Sequence, residues 1–492
     1  MPRSTPSVRK ALVLSFAGKY SALAMHTVAV MVLARLLTPA EIGVYSVGAA
    51  VVGLAHVVRD FGVGNYLIQE KELTTDRVRT AFAVTLVIGW TMAAVLFALS
   101  GPVSAFYDEP GLGQVLRVLS LTFLVIPFSS PVLALLRRDM AFGRLYVVEV
   151  ASAAAHVTTG ISLAALGYGF LSLAWASLAG AVMTATVAAL YRPSVARNLP
   201  SFKEWRRVAS FGSLSTAASI VSEIAMAAPD LIIGRLLGFA AVGLFSRAMG
   251  IIQLFNRTVM NAVTPVVTAT LAAKNRRGED LLEPYLKGLS YVTVLAWPFF
   301  IFLGLMAYPI IRVLFGDQWD EAVPLVQILC LAGIFRPLFY FVQPVFIALG
   351  QVRTNLRVAV ICNTISVLFF FLGALHSLEA AAAAPGVFCL AYFAVSYVYL
   401  RDLIGLSLQD VARSVSKSAV VALLSGLAPG LVFLGMDIGP GNILPPLLIA
   451  LAGTALSWIG VVFAVKHPLR EELVLFRQQI RRSLSPQRIG ID

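Results

Sequence analysis

Charge is scarce in this chain: 13% of its 492 residues are Asp, Glu, Lys or Arg, while 59% are hydrophobic. With a mean hydropathy of +0.85, that composition excludes an ordinary soluble domain and places the chain in a bilayer. Cysteine is scarcer still. Cys330, Cys362 and Cys389 fall inside apolar runs at no ligand spacing, so neither a disulfide framework nor a metal site is expected. There is no GxxxxGK(S/T) sequence, which excludes nucleotide hydrolysis by a P-loop, and no HExxH or GxSxG. No small-residue cleavage site follows the first apolar run, so 11–36 reads as a retained span and not a removed signal peptide.

What the chain does have is long apolar runs. Taking about 20 residues as one crossing, spans are expected at 11–36, 42–69, 80–105, 113–136, 145–167 and 169–191. A polar linker, 192–207, separates them from a second set at 208–236, 240–268, 288–315, 322–349, 355–376 and 381–400, and two more follow at 414–436 and 443–465. The expectation is an all-α polytopic membrane protein of about fourteen transmembrane helices. Its segments are a bundle at 1–191, the linker 192–207, a bundle at 208–402, an extra helix pair at 403–466 and a tail at 467–492. With the N-terminus on the cytoplasmic side, the cytoplasmic segments hold 29 of the 38 Lys and Arg residues. The positive-inside bias therefore puts both termini in the cytoplasm.

The two bundles repeat. The stretch Arg35-Leu36-Leu37-Thr38-Pro39-Ala40-Glu41-Ile42-Gly43-Val44-Tyr45-Ser46 returns as Arg235-Leu236-Leu237-Gly238-Phe239-Ala240-Ala241-Val242-Gly243-Leu244-Phe245-Ser246. Thr38 and Glu41 have capping-box spacing, and Pro39 suits a first helical turn. Further on, Leu119-Ser120-Leu121 with Pro127 matches Leu329-Cys330-Leu331 with Pro337. Six spans separate the copies, so both enter the membrane in the same direction and are related by an axis along its normal. Two six-helix bundles facing a cleft are expected.

Charge at bilayer depth costs about 2.5–3.5 kcal/mol on insertion scales, so the charges within spans should line an interior. These are Lys19, Arg59, Arg247, Arg257 and Arg336, with Asp60, Glu149, Glu223 and Asp230. Helical spacing puts Arg247, Gly250, Leu254, Arg257 and Asn261 on one face, and Arg336, Tyr340 and Gln343 on another. Lys19 shares a face with His26, and Glu149 with His156; Pro229 can loosen the helix between Glu223 and Asp230. A structural reading stays open: Lys19 and Arg59 can snorkel, and Glu149 can pair with Lys19 or Arg144. A mainly cationic cleft favours an anionic ligand such as pyrophosphate. In the tail, Leu469, Leu473, Phe476, Ile480 and Leu484 recur at helical spacing beside Arg470, Arg477, Arg481 and Arg482. That pattern fits a helix on the anionic inner surface, or a solvated tail with chance periodicity.

The run Leu33 to Tyr45, followed by Arg59-Asp60-Phe61-Gly62-Val63-Gly64-Asn65 and Ile68-Gln69, resembles the polysaccharide transporter branch, the Wzx-type oligosaccharide flippases, of the multidrug/oligosaccharidyl-lipid/polysaccharide (MOP) superfamily. The resemblance covers 11–465. It implies translocation of an undecaprenyl-pyrophosphate-linked oligosaccharide from the inner to the outer leaflet of the bacterial inner membrane, for O-antigen, capsule or exopolysaccharide biosynthesis. It also implies V-shaped bundles whose first, second, seventh and eighth spans border the cavity. No enzyme activity and no cofactor are expected, apart from an H+ or Na+ used for coupling. The substrate-cavity candidates are Lys19, Arg59, Arg247, Arg257, Asn261, Arg336 and Tyr340. The ion-coupling candidates are Asp60, Glu223, Asp230 and Glu149. Expected partners are the lipid-linked oligosaccharide, membrane lipids, and the polysaccharide polymerase and export machinery, with no nucleic acid. The alternative is a cation-coupled multidrug or small-molecule exporter on the same fold, which would want an interior dominated by acids.

Overall fold

The computed structural model describes residues 8–60, 62–192 and 200–475, without the side chains of 8–20, 206–219 and 262. All regular structure among them is helical. The chain divides into two compact units, 1–246 and 247–492. The first holds α1 (Val8–Leu36), α2 (Pro39–Asp60), α3 (Val63–Gln69), α4 (Thr75–Tyr107), α5 (Pro110–Val125), α6 (Ser130–Arg138), α7 (Phe142–Ala165), α8 (Phe170–Tyr191), α9 (Trp205–Leu236) and the start of α10 (Phe239–Phe255). The second holds the rest of α10, then α11 (Asn261–Arg276), α12 (Leu282–Leu305), α13 (Ala307–Leu314), α14 (Val323–Phe335), α15 (Val342–Ala348), α16 (Val352–Ala374), α17 (Leu378–Ile404), α18 (Leu408–Gly435) and α19 (Leu444–Ala464). The helix expected to open the second bundle, α9, packs along α2 within the first unit.

Twelve helical stretches among the described residues are long and apolar enough to cross a membrane. The expected total of fourteen then rests on α1 and α9, of 29 and 32 residues, which stand where the first and seventh spans are expected. The protein is thus a multi-pass membrane protein, and its outward faces are apolar. Leu434 is 84% exposed and Leu456 72% exposed, which suits lipid and would be costly in water.

Local chemistry sets the helix starts. Thr74 accepts from Arg77 N at 3.3 Å, Ser377 from Ala380 N at 3.1 Å and Ser407 from Asp410 N at 3.1 Å, each satisfying a free N–H of a first turn. Before α2 the capping box closes in both directions: Thr38 N donates to Glu41 Oε2 at 2.8 Å, and Glu41 N to Thr38 Oγ1 at 3.3 Å.

Five expected spans are not single helices: 240–268 passes through the turn Asn256–Met260, 288–315 divides at Met306 into α12 and α13, and three more break. The span at 113–136 breaks into α5, a 3-10 turn at Ile126–Phe128 and α6. The span at 322–349 does the same through Arg336–Phe339. Pro127 and Pro337 occupy equivalent places in the repeat, and each removes an N–H and crowds the carbonyl four residues back. The third, 42–69, is interrupted before α3 by Gly62 at φ 62°, a conformation open to glycine.

The two copies of the opening repeat touch. A Cβ on Gly43 would lie 1.8 Å from the Phe239 carbonyl oxygen, and a Cβ on Gly243 would lie 2.0 Å from that of Pro39. Ser46 and Ser246 hydroxyls are 3.4 Å apart. Equivalent residues thus meet reciprocally, as a local two-fold axis between parallel copies requires. Glycine at both positions is what lets helix backbones approach this closely.

Candidate functional site

In the first unit the site begins on α2, where Gly53, His56 and Arg59 share a face. The His56 ring stacks on Phe123 of α5 at 4.5 Å, and the Arg59 guanidinium lies 5.9 Å from the same ring. Arg59 Nε donates to Asp60 Oδ1 at 3.1 Å, and the two form an ion pair. The Arg59 side chain is 14% exposed and that of Asp60 65%. Arg59 is therefore a cation cushioned on an aromatic face and already neutralised by its neighbour; an anionic ligand must compete with Asp60.

Glu223 of α9 reaches α2 where the side chain is missing: a Cβ on Gly53 would lie 2.7 Å from Glu223 Oε1. Asp230, beside Pro229, is half-buried on the same uninterrupted helix. Neither carboxylate forms an ion pair with a described side chain. Between α1 and α7, His26 and His156 meet edge to face at 5.4 Å. Glu149, two turns from His156, is exposed, and the Lys19 side chain lies outside the described residues.

The second unit is built on two broken helices. Here α10 passes through a π-helical turn, Asn256–Met260, before α11. Wide turns of this kind are rare and recur at functional sites. They also shift the register of a side-chain stripe read at 3.6 residues per turn. Arg247, above the break, is half-buried, with its guanidinium 5.9 Å from the Phe315 ring and 5.7 Å from that of Trp319. Its Nε is buried without a hydrogen bond among the described residues. Within the π-turn Arg257 is exposed, and its Nη2 donates to Gln253 Oε1 at 3.3 Å. Asn261 is exposed too. The second broken helix supplies Arg336, which opens the 3-10 turn, and Tyr340, whose hydroxyl donates to Asn256 Oδ1 at 2.5 Å.

That bond ties the π-turn to the 3-10 turn, so the irregular backbone of both helices is concentrated in one place. Asn256 is a member of the site that side-chain periodicity does not reveal. Among the described residues Arg257 is held only by a neutral amide, which leaves guanidinium donors for a phosphate oxygen. Among the described residues no group of three or more His, Cys, Asp or Glu is placed to hold a metal ion.

The basic loops of the first unit gather at one end. Arg77 Nε donates to Glu204 at 3.1 Å, Lys203 lies 3.4 Å from Asp76, and Arg192 pairs with Asp139. Arg138 Nη1 donates to the carbonyls of Leu67 at 2.9 Å and Glu70 at 2.5 Å, closing the end of α3. In the second unit Leu469 and Leu473 of the tail pack on Val294, Val421 and Val462. Phe476, Ile480 and Leu484 lie outside the described residues.

Residues 32–324 match the family described as polysaccharide biosynthesis protein. The chain is 25% identical over 334 residues to the lipopolysaccharide biosynthesis protein WzxC of Escherichia coli, covering 65% of this chain and 66% of that one, just under two thirds. It is 28% identical over 342 residues to the succinoglycan biosynthesis transport protein ExoT of Rhizobium meliloti, covering 68% of each. Among solved structures, the lipid II flippase MurJ in an inward closed conformation superposes with a TM-score of 0.77 at 12% identity, covering 94% of this chain and 100% of that one. A MOP superfamily transporter from Pyrococcus furiosus superposes with a TM-score of 0.55 at 17% identity, covering 80% and 96%. At these identities the structural likeness shows the fold alone, which this chain shares with both proteins.

Proposed function

This chain belongs to the polysaccharide biosynthesis protein family, and we propose that it is a flippase for lipid-linked oligosaccharide. The cargo is an oligosaccharide on undecaprenyl pyrophosphate, moved from the inner to the outer leaflet of the bacterial inner membrane. WzxC and ExoT, with their names in lipopolysaccharide and succinoglycan biosynthesis, support that class of cargo. The observation that carries the reading is the tied pair of broken helices, bearing Arg257 and Arg336 within candidate membrane spans, with Arg247 ten residues before Arg257 on the same helix. Broken helices line binding sites in membrane transporters, and guanidinium groups suit pyrophosphate.

In this account both termini are cytoplasmic, 1–191 and 208–402 act as the two lobes, and 403–466 is an addition to the second. The residues proposed to receive the pyrophosphate and glycan are Arg59 and Lys19 of the first unit and Arg247, Arg257, Arg336, Asn261 and Tyr340 of the second. Asp60 releases Arg59 as cargo arrives, and Glu223 and Asp230 carry a coupling H+ or Na+. No covalent chemistry is assigned. The test is Arg247→Gln with Arg257→Gln in cells whose surface glycan depends on this protein. Loss of surface glycan with normal membrane levels of protein is expected. Normal glycan would remove the assignment, and loss of cationic-dye extrusion instead would favour a multidrug exporter.

A further inference from the structure

A cleft of about 610 Å3 lies between the first turns of α12 and α18, beside Pro468, among residues that the transport site does not use. Its lining carries three cations, Lys287, Arg413 and Lys417, and three carboxylates, Asp280, Glu283 and Asp410. No ion pair within 4.0 Å forms among the six. Asp280, Asp410 and Lys417 are held by neutral groups, while Lys287, beside Tyr291, also feels the carboxylates of Glu472 and Glu471. Asp280 accepts from Leu282 N at 3.0 Å, Asp410 from Ser407 Oγ at 2.5 Å, Lys417 donates to Lys466 O at 3.1 Å, and Lys287 sits 5.6 Å from the Tyr291 ring.

The charges are sorted by depth. On α12 the acid Glu283 precedes Lys287 by four residues, and on α18 Asp410 precedes Arg413 by three and Lys417 by seven. Both helices start at this end, so the carboxylates lie outermost, Lys287 and Arg413 about one helical turn (~5.4 Å) deeper, and Lys417 about two turns (~10.5 Å) deeper. Helix ends of membrane spans lie at headgroup depth. A lone anion would satisfy the cations and face the carboxylates; a lone cation would do the reverse. A group with phosphate inward and ammonium outward satisfies both kinds of charge.

We infer that this cleft binds the phosphoethanolamine headgroup of a membrane lipid, its phosphate on Lys287, Arg413 and Lys417 and its ammonium on Glu283 and its neighbouring carboxylates. The two-carbon bridge between phosphate and ammonium spans about one turn, and a primary ammonium brings three N–H donors to the acids. Phosphatidylglycerol lacks the cation. Phosphatidylcholine has the charge but no N–H. The site does not depend on what the protein transports.

The test is native mass spectrometry of the full-length protein in detergent, titrated with dihexanoyl phosphatidylethanolamine, phosphatidylcholine and phosphatidylglycerol. The ethanolamine lipid should bind about tenfold more tightly than either of the others. Arg413→Gln with Lys417→Gln should weaken it about tenfold, and Glu283→Gln should weaken it while strengthening phosphatidylglycerol. Glu283 makes no hydrogen bond or ion pair among the described residues, so this single variant decides the matter if the double variant does not fold. Equal binding of the three lipids, preference for phosphatidylglycerol, or no effect of Glu283→Gln would overturn the inference. Glycerophosphoethanolamine binding as tightly as the lipid would assign the cleft to a soluble ligand and overturn it as well.

Discussion

Alanine at Gly43 or Gly243 strikes the contact between the two copies of the repeat. The added carbon would sit 1.8 Å from the Phe239 oxygen in one case and 2.0 Å from the Pro39 oxygen in the other. Carbon and carbonyl oxygen settle near 3.3 Å, so the facing backbone must retreat by about 1.5 Å or 1.3 Å. The obstacle is backbone, which cannot rotate away as a side chain would. Overpacking typically costs about 1–3 kcal/mol, partly offset by the ~0.8–1.0 kcal/mol that alanine gains over glycine in a helix. Each variant should lose up to about 2 kcal/mol, whereas an unobstructed helical glycine should gain ~0.8–1.0 kcal/mol on the same change. The two clashes act across one interface and one retreat relieves both, so the double variant should lose less than the sum. Thermal unfolding of the purified protein by circular dichroism checks this, with Gly101→Ala on α4 as control because nothing lies within 4 Å of its added carbon. Stabilities of Gly43→Ala and Gly243→Ala equal to the control, or strictly additive losses, would refute the reasoning.

Three further outcomes are expected. Tyr340→Phe removes the hydroxyl that holds Asn256 at 2.5 Å and should cost about 1 kcal/mol of stability and lower transport, measured by unfolding and by surface glycan. Arg138→Lys loses the fork that closes α3 through the Leu67 and Glu70 carbonyls, so a loss of about 1.5–3 kcal/mol is expected on unfolding. His467 Nδ1 accepts from Leu469 N at 3.1 Å, so its Nε2 carries the proton shared by the Ser290 and Ser418 hydroxyls at 3.0 and 3.1 Å. Burial, with Lys417 adding repulsion, pushes this imidazole down from 6.5 to about 4. The unfolded chain takes up the proton first, so stability should be full above pH 6.5 and fall as pH drops from about 6.5 toward 4, and His467→Gln should flatten that slope in melting curves.

The all-helical membrane fold was legible because apolar runs as long as a bilayer is thick have few alternatives. Thr38, Pro39 and Glu41 announce the helix start that the structure builds, whereas Pro127 and Pro337, legible as a match within the repeat, stand in two 3-10 breaks of spans expected to be continuous. The contact of Gly43 with the other copy of the repeat was not legible, since a helical glycine is silent until the facing backbone is known. The π-turn at Asn256–Met260 left no residue signature either, for it adds no proline and no glycine. The stripe through Arg247, Arg257 and Asn261 was therefore drawn at a regular spacing that the helix does not keep. Arg59 is a cavity candidate and Asp60 an ion-coupling candidate on sequence grounds, and as sequence neighbours the two form an ion pair.

Reconstitution tests the central claim most directly. The protein is placed in vesicles containing an undecaprenyl-pyrophosphate-linked oligosaccharide from a strain that requires it, and lectin or glycosidase access to the glycan is followed from one side. The account predicts that glycan initially hidden in the far leaflet becomes accessible with the wild-type protein and stays hidden with Arg247→Gln/Arg257→Gln. Access at the same rate in protein-free vesicles and in vesicles carrying either form would contradict it.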